Sequence, residues 1–319
     1  MKGRTLKTIL LAILVLYVQI NMLTTTKAEI TNVSKTYFVV NATGAGDYKT
    51  IQDAVNNAPE DSTIYVTVGM YQEIINIKTK IKLIGEDKYK TIINPISEEN
   101  RYAICLGAPG VTISNFNITN GAPGLYTTAV KISAPETKTS NCIIHDAPIG
   151  IAVWTSYNTI ENCIFTGCSD EGIALLGSKY NECNENKIKN CIFYNNCDGI
   201  ELQYSSNNII SYCKFYENSH TGINAIASSN DGNKIINCEI YNNTVNGLYL
   251  ASSSNNQIID CFISNNKDGN VVINKNSYNN EIKNSEPSTT NQNAQQENSL
   301  IKRFFNMISN IKVRLPYFY

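Results

Sequence analysis

A cysteine recurs at Cys142, Cys163, Cys191, Cys213, Cys238 and Cys261, and nearly the same residues surround each of them. Five of these cysteines have an Asn five residues earlier (Asn158, Asn186, Asn208, Asn233, Asn256) and an Ile three earlier (Ile160, Ile188, Ile210, Ile235, Ile258). Two residues after each Cys stands an apolar residue: Ile144, Phe165, Phe193, Phe215, Ile240 or Ile263. Eight or nine residues after it, Gly150, Gly172, Gly199, Gly222 and Gly247 each open a third short run. A last unit keeps Asn280 and Ile282 and puts Ser285 where Cys would be. Each unit therefore carries three alternating apolar stretches too short for helices, separated by turn residues. One such unit cannot bury its own apolar face, but stacked units pair their strands in parallel and pile equivalent residues into files about 4.8 Å apart. A parallel β-helix follows, with Ile, Phe and Cys files inside and an Asn file that hydrogen-bonds along the stack.

Inward thiols act as small apolar groups, and stacked parallel Cβ directions suit a disulfide poorly, so the Cys file is expected to stay reduced. Cys168, Cys183 and Cys197 fall outside that file near turns, where one pair is a candidate bridge. Closely spaced Cys pairs, the usual mark of a tetrahedral metal site, are missing from the file.

The ends differ from the repeat. Residues 1–28 combine Lys2, Arg4 and Lys7 with an apolar run from Thr8 to Ile20 and end at Thr26-Lys-Ala28, the pattern of a secretory signal peptide. Residues 286–299 are a polar linker, and residues 300–319 alternate Lys302, Arg303, Lys312 and Arg314 with apolar residues. That basic amphipathic segment either caps the open end of the solenoid or makes peripheral contact with a membrane or wall polymer. Formal net charge of −1 supplies no basic field, so nucleic acid is not an expected partner.

Gly46-Asp-Tyr-Lys-Thr50, Ile51-Gln-Asp-Ala-Val55, Thr63-Ile-Tyr-Val-Thr-Val68, Gly69-Met-Tyr-Gln-Glu73 and Ile81-Lys-Leu-Ile-Gly85 resemble the pectin lyase-like superfamily, and residues 46–93 resemble the opening of pectinesterases. The later coils are similar to NosD-type β-helix repeats. The resemblance implies an all-β, single-stranded right-handed parallel β-helix over residues 36–285, with a short N-terminal capping helix. It specifies fold rather than activity.

In proteins of this resemblance a sugar polymer lies along one outer sheet, so the outward residues of the strand after each Gly are the ones to test. Alternation points Ala152, Ala174, Glu201, Asn224 and Tyr249 outward, with Trp154, Leu176 and Gln203 two residues further on. Just before the glycines stand Asp170, Asp198 and His220, which stacking places on successive coils beside Glu201. Asp170 and Asp198 are the candidate acid and base, with His220 or Glu201 assisting. Asp170, Asp198 and Glu201 together are the candidate calcium ligands. Trp154, Glu201, Gln203, Asn224 and Tyr249 form the candidate sugar-contact face. The competing explanation for each Asp is a plain turn residue before Gly.

Known enzyme patterns match only in fragments. Asp170 falls where pectinesterases carry their nucleophile, but Ile149 stands where their acid belongs, and their Arg-Pro-Trp stretch is missing. Asn196-Cys-Asp-Gly-Ile-Glu201 resembles a polygalacturonase motif without that family's double Asp. The Asp-Pro-His-Asp of mannuronan epimerases does not occur. Between Arg101 and Arg303 there is no Arg to act as a pectate-lyase base. Copper chemistry of the NosD kind has only His145 and His220 to draw on. The expectation is an exported cell-surface protein that binds polysaccharide or has a structural envelope role. The alternatives are a polysaccharide hydrolase or lyase using Asp170 and Asp198, and a spacer with no site.

Overall fold

The computed structural model describes residues 35–96, 101–124, 126–226 and 229–285. The expected signal peptide, linker and C-terminal segment lie outside the described residues. What is described is a right-handed parallel β-helix of three sheets. One sheet of eleven strands runs from Tyr37–Val40 to Glu281–Lys283, a second of nine from Gly69–Tyr71 to Phe262–Ser264, and a third of nine from Ile75–Ile77 to Gly269–Ile273. The strand pairs among the described residues are parallel, and each coil visits the three sheets in turn, so residues one coil apart are register partners, as with Phe165, Phe193 and Phe215.

The abundance of Asn has a backbone cause. Many corners of the coil contain a residue with positive φ, for example Asn190 before Cys191, Asn195 before Asn196 and Asn207 before Asn208. Asn tolerates that left-handed conformation better than other side chains bearing a Cβ. The residue after each hinge then drops into a buried file. In one file Asn158, Asn186, Asn208, Asn233 and Asn256 each donate a backbone N–H to the next Asn Oδ1, ending on Asn280. A second ladder, not foreseen above, links Asn196, Asn218, Asn243 and Asn266 in the same way. Buried corner amides are thus satisfied by side chains of the neighbouring coil.

Inside, Phe165, Phe193 and Phe215 stack with ring centroids 4.7 Å apart and planes within 5° of parallel. Glycine in the third strand makes room for them. A Cβ on Gly172 would sit 2.8 Å from Phe193 Cδ1, and one on Gly199 would sit 2.6 Å from Phe215 Cδ1. At the N-terminal end Ile51–Asn57 forms the short helix, its first turn closed by Thr50 Oγ1 accepting from Asp53 N. Ile51, Ala54 and Val55 are its buried side.

The candidate disulfide among Cys168, Cys183 and Cys197 does not form: all ten cysteines are free. Cys168 takes the place of Asn in the second ladder, where its N–H donates to Asn196 Oδ1, and Cys183 donates its thiol to Val153 O. Burial pushes the Cys142 and Cys163 thiols well above their ordinary range, which removes the thiolate that oxidation needs. Only Cys105 and Cys197 are less than fully buried. Ellman's reagent is therefore expected to label no more than these two thiols in the native protein and all ten in urea. Rapid native labelling of more than two would contradict the packed Cys file.

Candidate functional site

One corner of the third sheet departs from the repeat. Ser169, Asp170 and Glu171 separate Cys168 from Gly172, and Ser219, His220 and Thr221 separate Asn218 from Gly222, whereas Asn196 and Gly199 are separated only by Cys197 and Asp198. The shorter coil makes Asp198 serve opposite two residues of the next one: His220 N donates to Cys197 O at 2.9 Å while Gly199 N donates to Thr221 O at 3.0 Å. On its other side Asp198 pairs with Glu171. A coil one residue short thus brings Glu171, Asp198, His220 and Thr221 together.

Asp198 is not a turn residue. It opens the Asp198–Gln203 strand with its side chain buried. Its Oδ1 accepts from His220 Nδ1 at 2.7 Å and from Thr221 N at 2.7 Å, and its Oδ2 accepts from Asn224 Nδ2 at 2.9 Å. Contact with the carboxylate fixes the proton on His220 Nδ1 and leaves Nε2 as the basic nitrogen. Hydrogen bonding to Asp198, opposed by burial, raises the His220 pKa above 6.5.

Burial raises the pKa of the neighbouring carboxyls. Glu201, 7% exposed and accepting from Gln203 Nε2, is pushed by burial up to about 8. Glu171 is raised well above the usual carboxyl range by burial, with Glu201 and Asp170 adding repulsion. Asp170 is raised too, again chiefly by burial. The low polarity has a local source: Ile149, Ala152, Ala174 and Leu176 form a small apolar cluster apart from the main core, with Ala174 in register with Glu201. Three of the five buried side-chain polar atoms that lack a partner among the described residues lie here: Glu171 Oε2, Thr221 Oγ1 and Asn224 Oδ1. Leaving such atoms unpaired costs about 1–3 kcal/mol each, a concentration of cost expected where a site serves something other than stability.

The sequence-derived candidates divide accordingly. Asp198, His220, Glu201 and Asn224 come together, with Asp170 electrostatically coupled to them. Glu201 and Asn224 point away from the core file and lie within this polar cluster, largely buried. Gln203 and Tyr249 are half-buried, and Trp154 is 40% exposed beside Tyr126, ring centroids 6.4 Å apart and tilted by 59°. Among the described residues no three His, Cys, Asp or Glu side chains are grouped as a cation cage requires: Asp198 is turned to His220, Thr221 and Asn224, and Glu201 to Gln203. His145 lies elsewhere, between Asn117 and Asp146. Glu171 was missed. Its sequence signal was the eight-residue distance from Cys191 to Gly199, against nine in the coils on either side, which aligns Glu171 rather than Asp170 with Asp198.

A family model described as "Right handed beta helix region" matches residues 81–231 and 182–301. Among curated proteins, a pectinesterase of Petunia integrifolia is 31% identical over 143 residues, covering 40% of this chain and 38% of the relative. The pectinesterase/pectinesterase inhibitor U1 of Solanum lycopersicum is 44% identical over 62 residues, 17% of this chain and 11% of the relative. The chain thus spans well under half the length of these relatives. Among solved structures, a rhamnogalacturonan lyase superposes with a TM-score of 0.58 at 14% identity, covering 74% of each chain. The A-module of mannuronan C-5 epimerase AlgE4 of Azotobacter vinelandii gives 0.54 at 13%, covering 76% of this chain and 94% of the module. At such identities the superpositions establish the fold.

Proposed function

The chain belongs to the right-handed β-helix family, and on that premise we propose that it cleaves a polysaccharide by general acid–base catalysis at the Asp198–His220 corner. The observation that carries this is the buried Asp198 carboxylate, which accepts from His220, Thr221 and Asn224 and so presents His220 Nε2 as a base. Glu201, protonated at neutral pH, is the acid that donates to the departing glycosidic oxygen. Glu171 and Asp170, whose pKa values burial also raises, stand beside Glu201. Trp154, with Tyr126 beside it, offers a flat apolar surface for a sugar ring, and Tyr249 and Gln203 flank the corner. The pectinesterase similarity and the polysaccharide-acting fold neighbours support a glycan as substrate. The leader-like first 28 residues support action outside the cytoplasm, where thiols buried as these are would stay reduced.

The test is a panel of uronic and neutral polysaccharides assayed for new reducing ends and for ultraviolet absorbance. Reducing ends without absorbance identify hydrolysis, and absorbance identifies elimination. If no member is cleaved, catalysis fails. Retention of a glycan without cleavage would instead support the binding or structural role, for which the exposed Trp154 is the specific observation.

Catalysis is expected to be bell-shaped in pH. Activity rises as His220 loses its proton, at a pH above 6.5, and falls as Glu201 ionises near about 8. Stability has its own sign. The raised His220 pKa means that the ion-pair contribution is complete below 6.5 and is lost as pH climbs through the folded-state value. Glu201 adds to that fall, because its proton is bound more tightly folded than unfolded between 4.5 and about 8. Rate and urea-midpoint profiles from pH 5 to 9 check both; an acidic optimum below pH 5 would contradict the assignment.

A further inference from the structure

A cavity of about 600 Å³ opens at the other end of the third sheet, lined by Gln52, Val55 and Asn56 of the short helix with Asn76, Lys78, Thr79 and Tyr102 of the first coils. Its hydrogen-bonding character can be worked out from a fixed starting point. The backbone N–H of Asn76 donates to Gln52 Oε1 at 2.6 Å, which settles the orientation of that amide. Gln52 Nε2 therefore donates to Asn56 Oδ1 at 2.7 Å, and Tyr102 Oη donates to Asn76 Oδ1 at 2.7 Å. The acceptor ends of both Asn side chains are thus engaged within the protein. What remains to meet a ligand is donors: Asn56 Nδ2, Asn76 Nδ2 and the Lys78 ammonium, an exposed cation with no ion pair among the described residues. Beside them is an aromatic ring, Tyr102, with Lys131 Nζ 5.8 Å from its centroid. Donors and cations around a ring match a sugar bearing an anionic oxygen pair, since the ring takes the apolar sugar face and the donors take the carboxylate.

We propose that this cavity binds a uronic-acid residue of a glycan, its carboxylate at Lys78 and the two Asn amides and its ring against Tyr102. The site goes beyond the catalytic reading and does not need the Asp198 corner to be catalytic. It also lies on the same face. The Tyr102–Leu106 strand is four places from Asp198–Gln203 in the sheet order, about 19 Å at the usual strand spacing. A chain of several sugars whose anionic residue sat in the cavity would reach the carboxyl corner, so the cavity would fix its direction on the sheet.

The experiment is calorimetric titration of the full chain, at fixed ionic strength, with galacturonic-acid oligomers, the matching neutral galactose oligomers and inorganic phosphate. The uronic oligomers are expected to bind, the neutral oligomers to bind at least tenfold more weakly, and phosphate not to compete. Lys78→Ala is expected to weaken uronic binding about tenfold and Lys78→Arg to restore most of it; Asn56→Ala is expected to weaken it several-fold. Both residues are exposed and neither substitution disturbs the core. Uronic binding unaffected by Lys78→Ala and Asn56→Ala, equal binding of the neutral oligomers, or competition by phosphate at equal concentration would each overturn the proposal. Repeating the titration on Asp198→Asn separates the two sites: binding that persists there while cleavage is lost leaves this proposal standing on its own.

Discussion

Asp198→Asn is expected to lower polysaccharide cleavage by about 10²–10⁴-fold while leaving the circular dichroism spectrum unchanged. The substitution keeps the shape of the side chain but removes the charge that holds the proton on His220 Nδ1, so the imidazole loses its fixed tautomer and part of its basicity. The new amide also faces Asn224 Nδ2 with a donor where an acceptor stood, which forces one of the two to turn. Glu201→Gln should cause a comparable loss and also remove the alkaline limb of the rate profile, because the proton delivered to the leaving oxygen is gone. Full activity in Asp198→Asn would exclude the His220 base.

Phe193→Ala is expected to destabilise the solenoid by about 3–5 kcal/mol, read as a lower urea midpoint at unchanged slope. Phe193 is fully buried, sandwiched between Phe165 and Phe215, and meets the glycine file across the coil. Strand pairing holds Phe165 and Phe215 in register with it on either side. Phe262→Ala is the control. That ring is exposed on the outer face of the second sheet, and its loss should change stability by about 0.5 kcal/mol or less. Similar effects at the two positions would contradict the inward file.

The difference between those two phenylalanines shows what the repeat made legible. Phe193 lies two residues after Cys191 and Phe262 only one after Cys261, and that offset alone assigns one ring to the core and the other to solvent. The Asn ladder before five of the cysteines was readable for the same reason. The second ladder was equally regular, five residues after Cys191, Cys213, Cys238 and Cys261, but it passed as turn composition because Asn is also the common hinge residue. The site was harder. Asp198 next to Gly199 looked like a tight turn, and only the missing residue in its corner shows that it must face two residues of the next coil. What sets Glu171 and Glu201 apart is burial near Ala174 and its apolar neighbours, which depends on the packing of several strands at once. The donor-lined cavity was unreadable in sequence because it joins a helix to strands of two later coils.

At the shortened corner Asp198, which is buried, and His220, which is half-buried, form one charge pair. With His145 and His220 as its sole histidines, the protein allows this to be measured by following each imidazole through a pH titration by nuclear magnetic resonance, in the native chain and in Asp198→Asn. His220 is expected to titrate above 6.5 in the native chain and at a distinctly lower pH in the variant. A His220 that titrates at the ordinary value in both proteins would contradict it.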